Sequence, residues 1–545
     1  MTTDEPGDAA QLIAGGRATL GIELGSTRIK ACLIGPDFEV LAVGGHEWEN
    51  ELVDGRWSYS LDAVWGGLQA AYADLADATE RQHGKRPVTF NAIGISAMMH
   101  GYLALDESGE LLVPFRTWRN TSTGPAATEL TEALDFNIPL RYSIAHLYQA
   151  ALDDEPHVGQ VSKLMTLATY VHWCLTGRFV TGVGDASGMF PIDAATGTYD
   201  EAKLATAADV IGRRMPELDL TALLPEVLSA GADAGTLTTS GAALLDPSGA
   251  LRPGIRFCPP EGDAGTGMVA TNSVAPRTGN VSVGTSVFAM VVLEQTLGAV
   301  HSEIDVVTTP DGAPVAMVHC NNGASELAAW AGLFGQFATA LGAQADSDAV
   351  FAALLGEAAH GEPDGGGLLA YNFLSGEPIA GLDAGRPLVV REPDSRFTLA
   401  NFMRAQLYAV FATLSLGMDV LGSEGASVER MFAHGGVFRT ADVAQRALAA
   451  ALRVPVAVDR SASEGGAWGI ALLAAYLDAA PRQSLADFLN DRVFRDAEFS
   501  VVEPGASDVS GFRVFLEHFR AGLAIERAAV QASDRISNNE KEATA

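Results

Sequence analysis

LGIELGSTRIK, residues 20–30, is two β-type runs folded about a single turn. Leu20–Leu24 and the run from Arg28 to Gly35 are rich in aliphatic and branched residues, while Gly25, Ser26 and Thr27 between them are turn formers. A third run, Phe38 to Gly45, follows Pro36 and Asp37, so an antiparallel meander opens a domain. A strand that runs into such a turn exposes backbone N–H groups and hydroxyls able to cradle a phosphate. Glu23 beside it offers a carboxylate for hydrated Mg2+. Alone this is weak evidence, because Gly and Ser occupy hairpin turns for their backbone freedom. No GxxxxGK[ST] occurs, which excludes the P-loop nucleotide site.

Outward from this hairpin, residues 62–82 have apolar positions at helical spacing (Leu68, Tyr72, Leu75, Ala76), and residues 90–96 return to a strand that ends in Met98-Met99-His100-Gly101. The opening pattern then recurs. Residues 280–283 and 287–294 are β-rich runs about Gly284, Thr285 and Ser286, which predicts a duplicated domain. Leu407, Val410, Phe411 and Leu414 mark one helix face; the strand 430–433, the turn His434-Gly435-Gly436, a helix over 441–453 and a strand over 454–458 follow. Strands alternating with helices predict an α/β core. The domains are expected at 19–272 and 273–530, with a polar, frayed tail over 531–545.

The chain of 545 residues exceeds what one hydrophobic core usually organises, so two large domains are expected. Apolar residues are 48% and charged residues 19% of the total, and the strong apolar runs fall short of the roughly 18 residues that span a bilayer. The first residues lack a secretory signal, which predicts a cytoplasmic protein with no membrane partner. Cys32, Cys174, Cys258 and Cys320 lie far apart without a CxxC pair, so free thiols are expected rather than a disulfide framework or a zinc site. A net charge of −32 without a basic stripe argues against a nucleic-acid partner. A homodimer is compatible with these features.

Six segments, in order, resemble the motifs of FGGY carbohydrate kinases: LGIELGSTRIK at 20–30, GISAMMHGYLALD at 94–106, LTGRFVTGVGDASG at 175–188, EGDAGTG at 261–267, NVSVGTS at 280–286 and AHGGVFRTADVAQRALAAAL at 433–452. The resemblance implies two duplicated ribonuclease H-like α/β domains of the actin/hexokinase superfamily, with ATP in the cleft between them and a small sugar as partner. It implies that Gly25, Ser26, Thr27 and Arg28 form a first phosphate loop and Gly284, Thr285 and Ser286 a second. Gly435 and Gly436 match the adenosine turn, and Glu464, Gly466 and Ala467 a nucleotide-side helix. Asp263 matches the catalytic base: a carboxylate on a glycine-flanked turn can accept the proton of a substrate hydroxyl as the O–P bond forms. As local sequence, Asp-Ala-Gly is also an ordinary turn.

Met99 and His100 match the sugar-pocket pair of the xylulose kinases and favour a ketopentose, xylulose or ribulose, over glycerol, with another ketose or a short polyol as the alternative substrate. Trp118 matches the aromatic of a Trp-x-Asp segment whose aspartate binds sugar hydroxyls. Here Asn120 takes that place and exchanges a charge for two N–H donors. Glu23 stands for the usual aspartate, Gly376-Glu377-Pro378 departs from the family's Gly-Glu-Arg, and the segment 136–149 lacks a lysine, which makes Arg141, Ser143 and His146 candidates for an altered substrate contact. Two further readings share the fold. A silent sugar sensor would have lost the chemistry at Glu23 and Asn120, and a filament-forming ATPase would have no use for the Met-His pair.

Overall fold

The computed structural model describes residues 6–343, 346–440, 442–459 and 465–544. The opening meander forms where its pattern puts it, with Thr19–Leu24, Arg28–Ile34 and Val40–Glu47 antiparallel in that order. Ala92–Ala97 joins parallel to the first strand, Leu20 opposite Ile93, and Arg256–Phe257 and Glu261–Gly262 join parallel beyond it. Ala92–Ala97 is buried throughout, as a parallel strand covered on both faces must be. The third strand begins at Val40 rather than at Phe38, because Phe38 turns the chain with φ 68°.

The second half repeats this order of directions. Thr278–Val283 pairs antiparallel with Val287–Val292, which pairs with Pro314–Cys320; Arg430–Gly435 and then Val456–Asp459 add in parallel on the other side. Ile304–Thr308 and Phe499–Val502 extend the two edges. Behind the sheet runs Leu399–Ser423, a helix long and apolar enough by composition to cross a membrane; 72% of its most apolar stretch is buried inside the protein. The polar residues after 530 continue the helix Ala506–Thr544. Cys32, Cys174, Cys258 and Cys320 form no disulfide with one another, and Cys32, Cys258 and Cys320 are buried.

One helix crosses between the halves. Gly466–Tyr476 comes late in the chain, yet packs on the first sheet, its side chains sharing a core with Cys32, Ile34 and Ala92. Its approach is close: a Cβ on Gly21 would lie 2.2 Å from the Ala467 carbonyl oxygen, and one on Gly94 2.6 Å from an Ile470 side-chain carbon. Being apolar all round, the helix needs burial on every face, which a sheet on one side and the helix Asp263–Ala270 on the other supply. Polar bonds tie the halves at another point: Arg141 pairs with Asp305, Asn137 Nδ2 donates to Ile304 O at 2.9 Å, and Tyr142 OH donates to Val306 O at 2.9 Å. Between these ties lies a cleft of about 1950 Å³, walled by both halves.

Candidate active site

Both glycine turns project from strand ends, and each has its carbonyls drawn away. In the first, Gly25 N–H closes the turn on Arg28 O at 3.1 Å. Trp48 Nε1 donates to Gly25 O at 2.7 Å, Tyr59 OH to Ser26 O at 2.6 Å and Trp48 N to Thr27 O at 3.1 Å, from two rings stacked 4.2 Å apart. In the second, Gly284 N–H closes on Ser286 O at 2.9 Å, while Ala324 N donates to Gly284 O at 2.8 Å and Gly323 N to Thr285 O at 2.7 Å. A trans peptide points its C=O and the next N–H in opposite directions. Carbonyls held back therefore turn the amides of Ser26, Thr27, Thr285 and Ser286 outward, and among the described residues these amides donate to no protein group. Outward amides on a turn make an anion cradle.

Asp263 opens the helix Asp263–Ala270 at the end of the strand Glu261–Gly262 and lines the cleft. Met99 N–H donates to its Oδ1 at 3.1 Å, which orients the carboxylate, and burial pushes its pKa up despite that bond. Glu23 lines the same wall. Its pKa is raised to about 7, first by burial; Lys30, opposite it in the hairpin, lowers it, the charge of Asp263 raises it, and the Ala467 amide lowers it. Its carboxyl thus sits at the first turn of the crossing helix, where a Cβ on Gly466 would come within 2.3 Å of Oε1.

On the wall of the first half Met99, His100 and Trp118 line the cleft together. His100 has φ 70° and stacks on Tyr142 at 5.3 Å. Its Nδ1 lies 3.2 Å from Gly188 O, so that nitrogen carries a proton and donates, leaving Nε2 as an acceptor. Burial and then Arg141 hold its pKa well below the usual value, so the ring is neutral.

Residues 18–249 match the N-terminal domain, and residues 279–477 the C-terminal domain, of the FGGY family of carbohydrate kinases. The chain belongs to this family. It is a sugar kinase, an ATP-dependent phosphotransferase on the actin/hexokinase fold. The chain is 24% identical over 439 residues to a xylulose kinase of Haemophilus influenzae, covering 76% of this chain and 82% of that one. Its fold is similar to that of the xylulose kinase of Rhodospirillum rubrum, with a TM-score of 0.77 at 20% identity over 93% of this chain and 99% of that one. It is also similar to that of a gluconate kinase of Lactobacillus acidophilus, with a TM-score of 0.75 at 18% identity over 93% and 98%.

In this sugar kinase some of the residues expected at the site stand elsewhere. Asn120 does not line the cleft: its Oδ1 accepts from Trp57 N at 2.8 Å, and its Nδ2 donates to Trp57 O and Thr117 O at 2.8 and 3.0 Å, so every polar group it has is taken by backbone. Arg28 points away as well, its guanidinium lying over Gly45 of the third strand, where a Cβ would meet Nε at 2.6 Å. Ser143 is buried and donates to Gly101 O at 2.6 Å, and His146 is buried with a pKa lowered to about 3, chiefly by desolvation. Of these three candidates Arg141 lines the cleft, already paired with Asp305. Gly25, Thr27, Gly284 and Thr285 form the outer parts of their turns, whereas Ser26, Ser286, Gly435 and Gly436 line the cleft. Glu464 lies outside the described residues.

Trp48 and Tyr59, which hold the first turn, carry no motif of their own, and only their position after the hairpin could have drawn notice. On the wall of the second half Phe432, His434, Phe438 and Gln445 also line the cleft. Gln445 had a signal, an amide on the otherwise apolar face of Val443–Leu452; its Nε2 donates to Val456 O and Ser500 O, both at 2.7 Å.

Proposed function

We propose that the enzyme transfers the γ-phosphoryl group of Mg·ATP to a hydroxyl of a small ketose, a ketopentose of the xylulose or ribulose kind, with Asp263 as general base. The observation that carries this reading is the place of Asp263, half-buried on the cleft wall, oriented by Met99 N–H, and on one wall with His100 and Trp118. The substrate hydroxyl gives its proton to the Asp263 carboxylate as its oxygen bonds phosphorus, and ADP leaves with the electrons of the broken P–O bond. Neutral His100 offers Nε2 to a second hydroxyl. The names of the curated relatives support a five-carbon ketose.

The outward amides of Ser26, Thr27, Thr285 and Ser286 would hold the phosphates from two sides, with the turn Gly435-Gly436 under the adenosine. Glu23 would hold hydrated Mg2+, which takes one or two carboxylates and keeps waters and phosphate oxygens for its remaining positions. The fit rests on the Glu23 carboxyl, which lies on the cleft wall with a pKa raised first by burial and, against the lowering by Lys30, by the charge of Asp263, a second carboxylate whose repulsion a cation would offset. When bound, Mg2+ neutralises phosphate charge. On this reading 19–272 and 273–530 act as the two working domains.

ADP release measured against a panel of ketoses, alditols and aldonates should rank a ketopentose first and glycerol poor. Asp263→Asn should lower kcat by roughly 10²-fold or more, the usual worth of a positioned base, while ATP binding by calorimetry is retained. Near-wild-type kcat in that variant would remove Asp263 from the mechanism, and glycerol as best substrate would sink the ketopentose reading.

A further inference from the structure

Behind the second turn lies a buried polar cluster that the reaction does not touch. Asn322, Asn372 and Glu377 are 5%, 2% and 0% exposed. Asn322 Oδ1 accepts from Leu374 N at 2.8 Å and Ser375 N at 3.0 Å, while its Nδ2 donates to Glu377 Oε2 at 3.1 Å and its backbone N to the same oxygen at 3.2 Å. Asn372 Nδ2 donates to Asn322 O at 3.0 Å and Gly323 O at 2.9 Å. From the far side of this strip, Gly323 N and Ala324 N reach the carbonyls of Thr285 and Gly284. The approach leaves no room for a side chain, since a Cβ on Gly323 would lie 2.5 Å from Gly284 O.

Burying a carboxyl and two amides costs free energy unless the bonds they make are needed. Here Glu377 Oε1 and Asn372 Oδ1 have no hydrogen-bond partner among the described residues, so the cluster is not the cheapest way to fill this space. All its satisfied bonds converge instead on the strip 322–324 and on the segment 374–377 that braces it.

We propose that Asn322, Asn372 and Glu377 are positioning residues for ATP: they fix the strip that draws back the Gly284 and Thr285 carbonyls and so turns the Thr285 and Ser286 amides outward from the turn, at the edge where Ser286 lines the cleft. This rests on the reading of Gly284–Ser286 as a phosphate loop. None of the three touches the nucleotide. Their effect falls on ATP alone, because the sugar end and Asp263 stand on the other half of the molecule.

The test has two arms. In the first, hydrogen exchange on the full-length wild type should slow at residues 285–286 when Mg·ATP is added; no slowing would refute the phosphate-loop reading and this proposal with it. In the second, steady-state kinetics on Asn372→Ala and Glu377→Ala should show KM for ATP raised about tenfold, the scale expected when a buried bond is lost. KM for the sugar and kcat should stay within about twofold of wild type, the pattern of lost ground-state binding. Glu377→Gln keeps an acceptor oxygen toward Asn322 and should restore KM for ATP. If exchange slows in the wild type yet KM for ATP is unchanged in the alanine variants, the positioning role alone is overturned. Equal rises in both KM values, or no rescue by glutamine, would mean general loosening and overturn it too. Should an alanine variant fail to fold, Asn322→Asp keeps the acceptor for Leu374 N and Ser375 N but replaces the Nδ2 donor with a second carboxyl oxygen against Glu377, and an unaltered KM for ATP there is the refuting result.

Discussion

The two glycine turns reach the same backbone arrangement with unlike support. Behind Gly25–Thr27 stands a pair of stacked rings, Trp48 and Tyr59, close in sequence to the turn they hold. Behind Gly284–Ser286 stands backbone, the strip 323–324, itself held by amides and a carboxyl from as far on as Glu377. What the two share is the direction of the peptide planes. On the phosphate-loop reading both strand ends need outward amides, and any donor set that holds the carbonyls back provides them. The aromatic support is rigid and independent of pH, whereas the polar one contains a carboxyl whose pKa burial raises to about 7.

The largest effect should come from Gly435, which supports the second turn alone. It has φ 125°, and a Cβ there would lie 2.1 Å from Val283 O, on the strand that leads into the turn. Gly435→Ala should destabilise the protein by about 2–4 kcal/mol and weaken ATP binding, as urea unfolding and calorimetry would show. Retention of both would mean that the second turn tolerates movement the comparison denies it.

The first turn should respond less, and in proportion to the bonds removed. Trp48→Phe loses the N–H to Gly25 O and keeps a ring for the stack; Tyr59→Phe loses only the hydroxyl to Ser26 O. Each should cost about 1 kcal/mol in ATP affinity, the net worth of one hydrogen bond. A double variant whose loss clearly exceeds the sum would mean that the rings act as a unit.

The smallest effect concerns pH. Glu377 behind the second turn and Asp185 behind Asp263 both have pKa values raised to about 7 by burial. A raised carboxyl binds more protons folded than unfolded, so its contribution to stability is complete below the unfolded pKa and lost as pH rises through about 7. Thermal melts of the ligand-free protein should therefore show Tm falling between about pH 5 and 8, and Asp185→Asn or Glu377→Gln should each flatten that slope. If neither does, the carboxyls are ionised in the folded protein and the contrast between a dry and a titrating support fails.

Local patterns carried much of this fold and of its site. Apolar alternation about Gly25-Ser26-Thr27 and again about Gly284-Thr285-Ser286 determined two hairpins, their recurrence determined the duplication, and the ordered motifs brought Asp263, Met99 and His100 to attention. The hairpins and their recurrence follow from periodicity and turn chemistry, which a chain states within a few residues of where they act, whereas Asp263, Met99 and His100 stood out only through the resemblance of their motifs to the family. Only the tertiary structure decided that Gly466–Tyr476 packs on the sheet of the other half, that the Asn120 amide is spent on the backbone of Trp57, and that Arg28 lies over Gly45. It also decided which distant donors hold the turn carbonyls. Those outcomes depend on which groups meet through space after the chain has crossed between its halves, and a side chain's partners are not written in its neighbours along the sequence.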